Sequence, residues 1–482
     1  MRTLPSGRLA ADLAFSRAAG APLVDGNAVR LLADAAENYP AWLDAIAAAE
    51  RFIHFESYII HGDRTGRMFA EALIARARAG VTVRVIYDWL GALGATPRSF
   101  WRPLREAGVE VRAFNRPVAW RPLAWLTRDH RKMQAVDGRV AYVSGLCVGN
   151  AWVGSDTVAP WRDTGVEIAG PAVADVHAEF GEIWAAIGAP LPAVELPPAA
   201  AIPRQGEVGL RVIGSRPSAA SMMRLDTLVA SLARERLWIT DAYFVGVPGH
   251  VQALTAAAAD GVDVRLLVPG GSDLPLVRSF SRATYRGLLE GGVRVFEWNG
   301  SMLHAKTAVA DGLWARVGST NLNLQSWLGN WELDVAVEDA PFAAAMEAMY
   351  QADLENATEV VLPARHRGHA RATKSSGGAP TPRLVKWRRR RRGGGPGRAA
   401  AGALRFGNTV GAALTATRAL GAAEAPTLAA GGGTLLGLGA LAAWKPALLA
   451  YPLAAATGWL GLTLLGAAWR AWRPRPEGPP PG

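Results

Sequence analysis

130-HRKMQAVDG-138 has a counterpart at 304-HAKTAVADG-312, and both read His-x-Lys-x4-Asp-Gly. Seven residues beyond each Asp comes a small-residue turn: Ser144-Gly145-Leu146-Cys147 in the first copy, Gly318-Ser319-Thr320-Asn321 in the second. A lone His-x-Lys carries almost no information. Two copies in one register, each followed by an apolar run and a small-residue turn, point to duplication. In a β-strand residues i and i+2 share a face, so His130 and Lys132 are expected to point together, as are His304 and Lys306. A nucleophile or acid beside a fixed ammonium suits an anionic centre such as phosphate.

Further matches lie in the same order. Arg51-Phe-Ile-His-Phe-Glu56-Ser-Tyr58 parallels Arg236-Leu-Trp-Ile-Thr-Asp241-Ala-Tyr243, and the runs around Gly80 and Gly108 parallel those around Gly261 and Gly292. Each half alternates helical and strand patterns. Residues 65–79 have amphipathic helical spacing before the β-branched run 81–87; residues 249–260 and 262–268 repeat this. Such alternation predicts an α/β fold, an αβα sandwich with a mixed sheet in each of two homologous halves. Gly80, Gly108, Gly261 and Gly292 stand where helix C-caps are wanted. The expected division is an N-terminal arm (1–26), a first half (27–188), a Pro/Ala-rich link (189–205) and a second half (206–362).

These motifs resemble the phospholipase D superfamily, and more closely its bacterial cardiolipin synthase branch. The resemblance covers about Asn27 to Leu362. It implies that the two motifs meet at one pseudo-twofold active site, one His attacking phosphorus to form a phosphohistidine and the other protonating the leaving alcohol. On this basis His130 is the nucleophile and His304 the acid/base, although the order of two similar histidines stays open. Lys132, Lys306 and Asn321 would hold the phosphate oxygens. Each His needs a carboxylate on its far nitrogen; the family places it downstream of the motif, where Asp163 and Glu332 stand. Asp137 and Asp311 are read as ties between strand and backbone, with Gly145, Cys147 and Ser319 as support. Glu56, Tyr58, Asp241 and Tyr243 match family positions near the cleft, with cross-strand packing and surface polarity as the alternative. Two departures stand out: Cys147 replaces the usual Asn, and Gly165 occupies a position where related synthases often have His. No cofactor and no metal is implied, and turnover should persist in a chelator.

Composition sharpens the choice of partner. The formal charge is +11, but Val361 onward carries 18 Lys/Arg against 2 Asp/Glu, leaving 34 against 39 before it. A mildly acidic body argues against nucleic acid, and a basic tail beside apolar stretches points to an anionic membrane surface. Residues 363–398 read as a basic disordered linker containing Lys386-Trp387 and Arg388–Arg392. Residues 399–425 read as an interfacial helix, 426–470 as a transmembrane hairpin and 471–482 as a tail. Thr427–Trp444 and Pro446–Trp469 are 18 and 24 residues without a charge, flanked by arginines. The single cysteine excludes an intrachain disulfide, and residues 1–20 lack the apolar core of a secretory signal.

The expected activity is therefore a membrane phosphatidyltransferase. It would move a phosphatidyl group from phosphatidylglycerol to an alcohol, a second phosphatidylglycerol, on the cytoplasmic side of a bacterial inner membrane. A hydrolytic phospholipase D releasing phosphatidic acid is the near alternative, and a catalytically weak membrane scaffold, motivated by Cys147, is the different-class one. Sequence leaves the oligomeric state open, along with the job of Trp120 and Trp125.

Overall fold

The computed structural model describes residues 6–116, 126–273 and 275–361, with Leu436 and Tyr451 beyond them. Apart from those two residues, the expected linker, interfacial helix, hairpin and tail lie outside the described residues, as do Trp120 and Trp125. Among the described residues no helix is long and apolar enough to cross a membrane.

Sixteen strands are described. In chain order they are β1 (Val24–Ala33), β2 (Phe52–Ser57), β3 (Thr82–Asp88), β4 (Glu110–Phe114), β5 (Arg128–Asp129), β6 (Lys132–Val136), β7 (Val140–Ser144) and β8 (Thr164–Ala169). Then follow β9 (Val208–Ser215), β10 (Arg236–Asp241), β11 (Asp263–Pro269), β12 (Arg294–Trp298), β13 (Lys306–Ala310), β14 (Trp314–Gly318), β15 (Asn330–Glu338) and β16 (Ala357–Val360). They form one sheet in the order β16-β12-β11-β10-β13-β14-β15-β9-β1-β8-β7-β6-β2-β3-β4, with β5 paired to β15. Read outward from the β9–β1 junction, β15, β14, β13, β10, β11, β12 answer β8, β7, β6, β2, β3, β4. The sets β2–β3–β4 and β10–β11–β12 are parallel, and the remaining neighbours on this path are antiparallel.

Local sequence explains the elements. All six residues of β2 are buried, as expected of a parallel strand covered on both faces. The next helix, Arg64–Arg78, starts where the Asp63 side chain accepts from Gly66 N at 3.0 Å. Its buried stripe includes Phe69 and Leu73, one turn apart, each stabilising by roughly 1.5–3 kcal/mol. Arg76 and Arg78 close its last turn, where cations suit the helix dipole. Gly80, Gly108, Gly261 and Gly292 follow helices at φ of +92°, +94°, +95° and +90°, a left-handed conformation costly for other residues.

Among the described residues the core forms three clusters. One lies beneath both parts of the sheet, where the helices Val173–Ala186 and Ala340–Glu355 contribute Phe180, Trp184, Phe342 and Met346. The others belong to the first part, around Trp42, Phe69 and Trp101, and to the second, around Leu225, Phe244 and Trp327. At the junction Asn27, fully buried, donates to the carbonyls of Val24 and Val208 at 2.8 and 3.2 Å and accepts from Ala172 N at 2.9 Å.

Two segments differ from their expected form. The arm supplies the helix Ser6–Ala19, which packs on the helix Ser221–Leu232, and β1 already begins at Val24. The Pro/Ala-rich segment 189–205 folds into two short 3-10 turns, Ala193–Glu195 and Ala199–Ala201, and buries Leu191, Glu195 and Ile202. Prolines hide apolar periodicity, yet their fixed φ favours such turns.

Candidate active site

The two His-x-Lys motifs meet across the sheet junction. His130 and His304 each sit just before a strand rather than in it, since β6 and β13 begin at Lys132 and Lys306. Each histidine is clamped at two points by the other half of the sequence. His130 N donates to Trp331 O at 2.9 Å, and the carboxylate of the next residue, Glu332, lies 2.9 and 3.1 Å from His130 Nδ1. His304 N donates to Arg162 O at 2.6 Å, and the carboxylate of the next residue, Asp163, lies 2.7 Å from His304 Nδ1. The downstream carboxylate of each motif thus serves the histidine of the other. Sequence order alone suggests the reverse pairing; the structure corrects it because strands from opposite halves meet in parallel at Arg128–Asp129 with Asn330–Trp331 and at Arg162 with Leu303.

Both carboxylates are fully buried and held in turn. Glu332 accepts from Ser319 Oγ at 2.6 Å and Asn330 Nδ2 at 3.0 Å. Asp163 accepts from Trp152 Nε1 at 2.9 Å and from Thr164 N at 2.9 Å. With Nδ1–H donated to a carboxylate, the tautomer of each ring leaves Nε2 as the free base. Trp152 escapes motif reading, whereas Asn330 opens the Asn-x-Glu run and lies two residues from Glu332, so on its face of the strand.

Charge around the pair is balanced toward neutral imidazoles. Burial, then Lys306, lowers the His304 pKa to about 3, despite the opposing pull of Asp163. Burial also lowers that of His130. Burial alone would raise Asp163, but His304, Lys306 and Trp152 together hold it at about 2; Glu332 is likewise lowered, against its burial, by His130, Lys132 and Ser319. Lys306, buried with its amine 2.9 and 3.1 Å from the two ring nitrogens of His304, is lowered to about 8 by burial, with Lys132 adding repulsion. Lys132 Nζ donates to the carbonyl of His130 and Lys306 Nζ to that of His304. A monoanionic phosphodiester placed here would face two ammonium groups and two basic ring nitrogens.

The remaining expected residues divide by position. Tyr58 stands edge-on to His130 with ring centroids 4.9 Å apart, and Tyr243 to His304 at 5.8 Å; the rings lie 5.2 and 5.8 Å from Lys132 and Lys306 Nζ. Asp241 is buried in the second half and accepts from Tyr243 N at 3.0 Å and Leu322 N at 2.7 Å. Glu56 is buried beside Asp129 and Arg131; burial and then Asp129 push its carboxyl well above the usual range. Asp137 accepts from the backbone N–H groups of Glu50, Arg51 and Phe52 at 2.7–2.9 Å, and Asp311 from Arg234, Glu235 and Arg236 at 2.9–3.0 Å. These ties anchor the turn after each motif strand to the start of its neighbour.

The second turn brings Asn321 in buried, its Oδ1 without a partner among the described residues. At the matching position Cys147 is buried in the first-half apolar cluster, and burial raises its thiol pKa. Its carbonyl accepts from Tyr39 Oη at 2.6 Å. Gly165 follows from packing too: a Cβ there would lie 2.0 Å from Asn38 Oδ1. Gly145 is equally confined, since its Cβ would lie 2.1 Å from Asp163 Oδ1.

Comparison with known proteins gives the family and the fold. The family described as "Cardiolipin synthase, PLD-like domain" matches residues 42–184 and 229–354. Cardiolipin synthase A of Pseudomonas syringae pv. syringae (strain B728a) is 34% identical over 363 residues, covering 74% of each chain. Cardiolipin synthase A of Pseudomonas aeruginosa (strain LESB58) is 35% identical over 352 residues, covering 72% of this chain and 71% of that one. Among solved structures, a phosphatidylserine synthase of Haemophilus influenzae Rd KW20 superposes with a TM-score of 0.57 at 14% identity, covering 72% of this chain and 91% of the other. That likeness concerns the fold.

Proposed function

The chain belongs to the cardiolipin synthase family of phospholipase D-like proteins, and we propose that it is a phosphatidyltransferase joining two phosphatidylglycerols into cardiolipin with release of glycerol. The observation that carries this reading is the crossed pair of histidine–carboxylate contacts, His130–Glu332 and His304–Asp163. It supplies two oriented imidazoles, each with a lysine two residues on. The mirrored strand order and the two family matches support a pair of homologous halves sharing this centre.

In the first step His130 Nε2 attacks phosphorus, forming an N–P bond as the P–O bond to the glycerol headgroup breaks. The leaving oxygen takes its proton from His304. In the second step a hydroxyl of the acceptor lipid attacks phosphorus, the N–P bond breaks, and the hydroxyl proton passes to His304. Splitting one displacement into two lets an alcohol replace water as the final acceptor. Lys132, Lys306 and Asn321 would balance the non-bridging oxygens, which gain charge in each transition state. The incoming phosphate also offsets the two ammonium groups, so the acid/base imidazole regains basicity once substrate is bound.

The apolar stretches 427–444 and 446–469 and the block Lys386–Arg392 suit an attachment to an anionic membrane, with the body on the cytoplasmic side of the inner membrane. The test is direct. Detergent-purified protein is incubated with phosphatidylglycerol and a chelator, and the lipids are identified by mass. Cardiolipin with free glycerol is expected. Phosphatidic acid as the sole product would make the protein a hydrolase, and loss of turnover on chelation would contradict the metal-free chemistry.

A further inference from the structure

Behind Tyr58, whose ring stands 4.9 Å from that of His130, lies a cavity of about 240 Å³ that the chemistry above does not use. It opens at the carboxyl ends of β3 and β4, where parallel sheets usually offer binding crevices. Its walls include Tyr87, Trp89 and Trp101 and three arginines, Arg98, Arg105 and Arg116. All three arginines are exposed, and none has an ion-pair partner among the described residues. The sequence from 117 to 125, PVAWRPLAW, contains no carboxylate that could pair with them. Three unneutralised guanidinium groups around one cavity form an anion site, and their planar forks match phosphate oxygens. Drug-sized ligands fill about 300–1,000 Å³, so this cavity has the scale of a lipid headgroup without its acyl chains.

The cavity is coupled to the motif by packing. Gly91, in the loop that forms its wall, backs onto Tyr58; a Cβ there would lie 2.7 Å from that ring. The other side of the contact is His130, its ring 4.9 Å from Tyr58. Gly62 N donates to Ala95 O at 3.0 Å, and His61 N to Val148 O at 2.8 Å, tying the cavity loop through residues 58–62 to the turn that holds Cys147. At the corresponding end of the second half the described groups Asp273 and Arg282 are both engaged. There Tyr243 Oη donates to the exposed Asp273 at 2.9 and 3.0 Å, and Arg282 is neutralised by Glu297 at 2.6 Å.

We propose that the cavity framed by Arg98, Arg105 and Arg116 holds the phosphate of the acceptor lipid while its terminal hydroxyl reaches the phosphatidyl group at the histidines. This rests on the phosphatidyltransferase reading and deepens it. The acceptor phosphate and its attacking hydroxyl are joined by a three-carbon chain, so an anion site separated from His130 by the Tyr58 ring favours a phosphatidylglycerol over water or an uncharged alcohol.

The test lets the full-length enzyme in detergent choose between two acceptors. Phosphatidylglycerol is supplied with isotopically labelled glycerol, and labelled phosphatidylglycerol and cardiolipin are measured together. Replacing Arg98, Arg105 and Arg116 by Gln should lower the ratio of cardiolipin to labelled phosphatidylglycerol by roughly tenfold or more, because only the anionic acceptor uses the guanidinium groups. Replacing all three by Lys should restore part of the ratio, because the charge returns without the planar fork. A separate variant, Leu93→Glu, puts a carboxylate at an exposed wall position and should lower the ratio with every arginine retained. An unchanged ratio in the Gln or Glu variants, or equal loss of both products, overturns the proposal. If the unmodified enzyme forms neither product, the phosphatidyltransferase reading itself has failed, and this proposal fails with it.

Discussion

Each motif histidine leans on a carboxylate from the other half of the sequence, 202 residues away for His130 and 141 for His304. Removing the charge while keeping the shape should therefore be costly. Glu332→Gln and Asp163→Asn are expected to lower kcat by about 10²- to 10⁴-fold, the range seen where a buried carboxylate fixes a catalytic imidazole. In double variants, Glu332→Gln should add little to His130→Ala, because the carboxylate acts through that ring. Full additivity within this pair would show that the crossed contact does not matter for turnover. Cys147 offers a second check. A buried thiol whose pKa is raised by burial carries little thiolate, so Cys147→Ala should keep turnover within about threefold. Abolition of turnover in a variant that melts normally would make the thiol a participant. Lys306 sets the alkaline limit. With its pKa lowered to about 8 by burial, the ammonium is present below that pH and lost above it. A profile of kcat/KM should thus fall as pH rises through about 8, and a flat profile to pH 10 would contradict the role given to this group.

At the scale of elements, the sequence was most legible where period and punctuation agree. The alternating helical and β-branched runs mark the parallel strands β2–β3 and β10–β11 to within a few residues, and glycines mark the helix ends. The crossed carboxylates were not legible. Spacing along the chain attaches Asp163 to His130, and only the facing of strands from the two halves gives it to His304. The segment 189–205 was legible as a connection but not as a packed one. Its Glu195 is buried and accepts from Arg84 at 2.5 and 2.7 Å. Glu195 also lies 3.2 Å from His54 Nε2, while His54 Nδ1 lies 2.9 Å from His177 Nδ1. Since His177 Nε2 accepts from Gly138 N at 3.2 Å, the chain of donors runs from His177 through His54 to Glu195 with both rings neutral. Glu195→Ala should cost on the order of 3 kcal/mol, because Arg84 stays buried with only the half-exposed Glu110 as a partner. The urea midpoint measures it. An unchanged midpoint would mean that the segment is merely draped over the first half.

Across the whole molecule, one continuous sheet joins the two motif-bearing parts through β9 and β1, so the site's two histidines are positioned by a single framework. Arg162 reinforces it: buried, it reaches Asp353 at 2.8 and 3.0 Å and Asp34 at 3.1 Å, while its carbonyl accepts from His304 N. Two imidazoles, each held by a buried carboxylate, suit two successive in-line displacements at one phosphorus better than a single attack by an activated alcohol. The steric course at phosphorus separates these possibilities most directly. A phosphatidylglycerol made chiral at phosphorus by isotopic or sulfur substitution is converted by the full-length enzyme, and the configuration of the transferred phosphatidyl group is determined. Two displacements through a phosphohistidine predict net retention. Net inversion would contradict the paired-histidine account.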